Sequence, residues 1–154
     1  MEFGVRYDRT AVILTAMVCA LLLAVPTLAG SGKILPISAL VILVTFACSP
    51  RGYAVSGRTL TVKRWIGNAR ISLHDVKQAR RATADDLRGC LRLFGSGGMF
   101  GYFGLFRTSK LGRCWWYATN RQNMVVVITG DQTVLVSPED VDGFLTAVGP
   151  VASA

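Results

Sequence analysis

The 154-residue chain has a single histidine, His74, and only nine acidic residues. It offers no Ser/His/Asp set and no paired-carboxylate motif, so acid–base and nucleophilic catalysis have no candidate residues. His74, in Leu73-His74-Asp75, reads as a turn residue. The four cysteines make neither a CxxC nor a Cys/His ligand spacing, which argues against a zinc site. Glycines are plentiful in GSGGMFGYFG, yet no lysine follows them before Lys110, so the Walker pattern fails. A dinucleotide fingerprint fails as well, for want of a strand before, a helix after and an acid about 20 residues on. The expectation is a noncatalytic protein with no cofactor and no metal.

What the chain does have is apolar length. Residues 11–30 (AVILTAMVCALLLAVPTLAG) carry no charge, and at 1.5 Å per residue such a helix covers roughly the ~30 Å hydrocarbon core of a bilayer. Residues 34–48 (ILPISALVILVTFAC) are uncharged too, but at about 22 Å they span only by recruiting their flanks or thinning the bilayer. The short connection Gly30-Ser31-Gly32-Lys33 makes the two runs an antiparallel transmembrane hairpin. A secretory leader is the rival reading of the first run, since Arg6 and Arg9 precede it and it ends in Thr-Leu-Ala-Gly; its length and the second run that follows at once favour the hairpin. Arg6 and Arg9 before the hairpin, and Arg51, Arg58 and Lys63 after it, place both termini in the cytoplasm. The protein is thus expected in the cell membrane with two spans. There Cys90 and Cys114 are expected as small buried thiols rather than a disulfide.

From Arg51 onward the pattern changes to short strands. Residues 53–55 and 59–65 flank a Ser56-Gly57 turn, residues 69–73 follow, and residues 76–82 make a fourth, basic strand. Residues 83–89 read as a loop. Residues 91–106, LRLFGSGGMFGYFGLF, interleave five glycines with five aromatics and read as a tightly folded loop or contact platform. RCWWYAT, MVVVIT and TVLV supply three more strands. Ser137-Pro138-Glu139-Asp140 then opens a helix with Ser137 as N-cap, and Val141, Phe144, Leu145 and Val148 give it one apolar stripe until Gly149-Pro150 stops it. The fold class is therefore a membrane protein of α+β type. Its domain is an antiparallel barrel or sandwich of about seven strands, capped by a C-terminal helix.

LRLFGSGGMFGYFGLF, WWYATN and VLVSPEDVDGFL, in that order, resemble a pleckstrin-homology-like (PH-like) domain. The likeness is to the bacterial type that carries N-terminal membrane helices. It implies a cytoplasmic PH-like domain over residues 51–149, after an N-terminal segment (1–10) and the helices (11–49) and before a tail (150–154). It also implies an interaction module rather than an enzyme. The extended basic loop with which lipid-binding PH domains grip inositol phosphates is reduced here to Ser56-Gly57.

Two kinds of contact follow. An unidentified protein partner is expected on Phe100, Tyr102, Phe103 and Phe106, or by strand addition at a sheet edge. The bilayer is the alternative, through Arg58, Lys63, Arg64, Arg80 and Arg81: from residue 51 to 121 there are fourteen Lys and Arg against three Asp, a net of +11, and anionic headgroups attract such a surface. Nucleic acid is disfavoured, because a contiguous Trp115-Trp116-Tyr117 run in a strand suits core packing at least as well as base stacking. Small residues in the hairpin leave homo-oligomerisation open.

Overall fold

The computed structural model describes residues 1–30 and 32–149; Ser31, Pro150 and the expected tail lie outside the described residues. Strand β1 (Glu2–Phe3) is followed by helix α1 (Arg9–Leu28) and helix α2 (Ile34–Cys48). Asp8 caps α1, its carboxylate accepting from the Ala11 N–H at 2.5 Å. The same residue ties the helix to the β domain, since its N–H donates to the Thr119 carbonyl and its carboxylate accepts from the Arg121 N–H. α1 is long and apolar enough to cross a membrane; α2 is apolar but shorter, at 15 residues.

Nine strands follow: β2 (Gly52–Ser56), β3 (Thr59–Lys63), β4 (Ala69–Ser72), β5 (Val76–Arg81), β6 (Leu91–Gly98), β7 (Gly101–Thr108), β8 (Gly112–Ala118), β9 (Val125–Thr129) and β10 (Thr133–Val136). With β1 they build a sandwich of two sheets, β1-β2-β3-β4 and β5-β9-β10-β8-β7-β6, completed by helix α3 (Val141–Val148). The class is α+β, as the sequence indicates. The strand count among the described residues is ten rather than about seven, because the N-terminal segment adds β1 and the glycine–aromatic stretch is a hairpin, β6–β7, and not a loop. The larger sheet is also not wholly antiparallel, since β10 inserts between β9 and β8 and runs parallel to β8.

Period-two side-chain placement explains the two cores. On the inner face Tyr53, Leu60, Val62, Val125, Val127, Val134 and Val136 pack with Phe144 and Leu145 of α3. On the opposite face of the larger sheet Tyr102, Phe106, Trp116, Val126 and Leu135 form a second cluster. β9 is therefore buried on both faces, which is why it reads as an unbroken Val-Val-Val run. The Trp pair divides accordingly: Trp116 is buried in the second cluster, and Trp115 looks out from the other face.

Three local expectations shift. The first turn is Gly57-Arg58, with Ser56 paired to Thr59; register follows the buried pairs Tyr53↔Val62 and Val55↔Leu60, and Gly57 supplies the positive φ. Residues 83–89 contain a 3₁₀ turn (Ala84–Leu87), closed by Thr83 donating from both N–H and hydroxyl to Asp86. The last helix begins at Val141 with Asp140 as its cap, the carboxylate accepting from the Gly143 N–H. Ser137 is committed elsewhere, its hydroxyl accepting from the Thr119 and Asn120 N–H groups.

Candidate functional site

The β6–β7 hairpin owes its shape to its glycines. Gly95 and Gly104 face each other across the pair. A Cβ on Gly95 would lie 2.1 Å from the Phe103 carbonyl oxygen, and one on Gly104 would lie 2.2 Å from that of Phe94. Both have positive φ, so only glycine fits. The tip, Met99-Phe100, reaches α1: the Thr15 hydroxyl accepts from the Phe100 N–H at 2.8 Å, and the Ser96 hydroxyl donates to the Met99 carbonyl. Phe100 packs edge-on against Phe46 of α2, with ring centres 5.2 Å apart. Phe46 in turn meets Trp65, over which the Arg51 guanidinium sits at 3.8 Å.

Between the two helices and strands β6–β8 lies a groove of about 610 Å³. Leu14 of α1 and Val44 of α2 form one side; Phe94, Phe103 and Trp115 form the other, with Arg64 at its margin. The backbone of Gly95, Gly97 and Gly104 also lines it. Trp115 and Tyr117 lie nearly parallel along the sheet, at 6.3 Å. The Arg64 guanidinium stands 5.7 Å from the centre of the Tyr117 ring, and its buried Nε has no hydrogen-bond partner. Burial pushes the Tyr117 phenol up, with Arg64 pulling it partly back.

The four aromatics expected to meet a partner do not share one exposed surface. Tyr102 and Phe106 are buried in the second cluster, and Phe103, buried as well, faces the groove from the opposite side of β7. Phe100 is half-buried against Phe46. The exposed apolar residues of the stretch are instead Leu91, Leu93 and Phe94 on β6, at the edge of the larger sheet.

The five basic residues are likewise scattered. Lys63 pairs with Glu2 at 2.6 Å, Arg80 grips Asp86 with both terminal nitrogens, and one terminal nitrogen of Arg81 donates to both carboxylate oxygens of Asp142. Arg58 sits in the β2–β3 turn, with His74 Nδ1 at 3.5 Å, about 17 Å along β3 from Lys63 by strand rise. Arg64 alone reaches the groove. Arg51 and Trp65, where the chain enters and leaves the first hairpin beside the end of α2, were not among the expected contacts; an exposed Trp flanked by Arg just after an apolar run was the available signal. Among the described residues no three His, Cys, Asp or Glu side chains gather as metal ligands.

The chain after α2, joined by β1, is thus a two-sheet β domain with a C-terminal capping helix. A family model described as Bacterial PH domain matches residues 51–150, and the chain belongs to that family. No curated protein and no solved structure matches it.

Proposed function

We propose that the protein is a membrane-anchored, noncatalytic interaction module whose PH-like domain binds a protein partner at the cytoplasmic face. The observation that carries the anchoring is the uncovered apolar surface of both helices: Ile13, Met17 and Leu21 on α1 and Ile37, Leu40 and Leu43 on α2 stand exposed. Water would penalise that surface by about 25 cal/mol per Å², and a bilayer would not. The hydrogen bonds of Asp8 and Thr15 to the β domain speak against a cleaved leader, because removal of α1 would forfeit them. Trp65 beside Arg51 suits an interfacial position.

For the partner, β6 is the supporting feature. It is an edge strand of eight residues with Leu91, Leu93 and Phe94 exposed, the kind of edge to which a peptide adds by main-chain hydrogen bonding. A photoreactive residue at Leu93 should give one discrete crosslinked species in cells, and one at Lys77 on β5 should give none. Absence of any adduct from β6 would remove strand addition. Lys33→Cys, reacting with an impermeant maleimide only from outside the cell, tests the orientation.

The second reading, contact of the basic surface with anionic lipid, is favoured by Arg64, whose side chain has neither ion pair nor hydrogen bond among the described residues.

A further inference from the structure

We infer that the groove between the helices and strands β6–β8 is a site for one anionic phospholipid, its acyl chain along Leu14, Val44, Phe94, Phe103 and Trp115 and its phosphate on Arg64. This rests on the membrane-anchored reading above and adds to it a defined site. The groove is walled in part by the helices themselves, Leu14 and Val18 from α1 and Val44 and Cys48 from α2. Val18 lies nine residues into α1, about 13 Å along its axis, so the groove runs from the domain toward bilayer depth. Whatever surrounds the helices has lateral access to it.

Its chemistry selects an amphiphile. The walls are aliphatic and aromatic, and the volume of about 610 Å³ falls in the ~300–1,000 Å³ range of ligand sites. A free phosphate would leave those walls wet, and a neutral hydrocarbon would leave Arg64 unsatisfied. The buried Nε of Arg64 lacks a partner, a deficit that a phosphate oxygen would relieve. Tyr117 beneath the guanidinium helps hold the cation in place.

The test uses the full chain, reconstituted in bilayers of equimolar phosphatidylglycerol and phosphatidylcholine and then extracted for native mass spectrometry. One retained lipid per chain is expected, phosphatidylglycerol over phosphatidylcholine by about fivefold: both offer a phosphate to Arg64, but the choline ammonium of the zwitterion places a second positive charge beside the guanidinium. Arg64→Gln should abolish that preference, Arg64→Lys should keep much of it, and Cys48→Trp should lower retention of both lipids by filling the groove. Arg113→Gln, a charge change on β8 outside the groove, should alter nothing. No retained lipid, or equal preference in wild type and a folded Arg64→Gln, overturns the proposal. A measurement on the unmutated site guards against misfolding of the variants: phosphatidylglycerol brominated on its acyl chain should quench Trp115 fluorescence, taken as the difference from Trp115→Phe, more than brominated phosphatidylcholine does, and equal quenching overturns the proposal. Alkaline carbonate separates the two levels of inference. A chain that stays in the membrane without a bound lipid overturns the site alone, and a chain that carbonate releases overturns the anchoring and the site together.

Discussion

The Thr15 hydroxyl lies 2.8 Å from the backbone nitrogen of Phe100, accepting its hydrogen, and the same hydroxyl donates to the Ala11 carbonyl one turn back in α1. A helix side chain thereby satisfies the tip of a β-hairpin 85 residues away in sequence. If α1 spans the bilayer, irregular backbone beside it must find its partners in protein. Thr15→Val keeps the shape and removes the acceptor. The expected loss is about 1–3 kcal/mol, the penalty for a buried donor left unpaired, with Thr15→Ser close to wild type. Hydrogen exchange at the Phe100 amide reads it directly: unchanged protection in Thr15→Val would show that the bond contributes nothing.

Much of this architecture was legible in the sequence because local rules govern it. The end of α2 at Cys48, the β9 and β10 runs and the stripe of Val141, Phe144, Leu145 and Val148 follow from apolar periodicity and turn residues. The glycine–aromatic stretch reads from sequence as a tight loop or contact platform, not as two strands, because glycine weakens any strand signal. Only the cross-strand Gly95–Gly104 contact shows why a strand there requires it. The groove was invisible, since its sides come from α1, α2 and β6–β8, segments joined only in the fold. The scatter of Arg58, Arg64 and Arg80 is likewise a matter of strand position that net charge cannot report.

Gly95→Ala and Gly104→Ala should each destabilise the chain by more than about 2 kcal/mol, since the new methyl meets a backbone carbonyl at 2.1–2.2 Å and the positive φ adds about 1 kcal/mol of its own. Gly97→Ala is the contrast. Its φ is ordinary and the nearest atom is the movable Arg92 guanidinium at 3.3 Å, so stability should change by less than about 0.5 kcal/mol. Thermal melts of the three variants in one detergent decide it, and equal melting points would refute the close-approach explanation.

Asp86 is fully buried and bound by Arg80 and Thr83, with Lys110 at 3.5 Å. The Arg80 hydrogen bonds, and next those from Thr83, hold its carboxyl well below the ordinary carboxylate range, against the opposing effect of burial. A lowered folded-state pKa gives stability that is complete above the unfolded value near 3.9 and is lost as pH falls toward the folded one. Stability from this group should therefore be flat between pH 7 and 5 and fall only below about pH 4. Asp86→Asn should cost about 3 kcal/mol at pH 7 by leaving Arg80 half-buried and unpaired, and the gap to wild type should narrow under acid. A gap that stays constant from pH 7 to pH 2 would show that the ion pair is not its source.

Phe3 meets Phe144 of α3 edge-on at 5.4 Å, and β1 supplies the outer strand of the smaller sheet. The β domain is therefore completed by residues that precede α1, and it is gripped by the chain on both sides of the helical pair. Its orientation against the helices follows from this, which keeps the groove beside α1 and α2 rather than on a swinging tether. A fragment of residues 51–149 would lose β1, uncover the β2 edge and expose part of Phe144. It should melt at least 5 °C below the same fragment with residues 1–8 joined through a flexible linker, and Phe3→Ala in that joined form should remove about 2 kcal/mol, less than full burial would give because Phe3 is only partly covered. Equal melting of the two fragments would mean that β1 decorates the domain without completing it, and the orientation of the groove would then rest on Thr15, Asp8 and Phe46 alone.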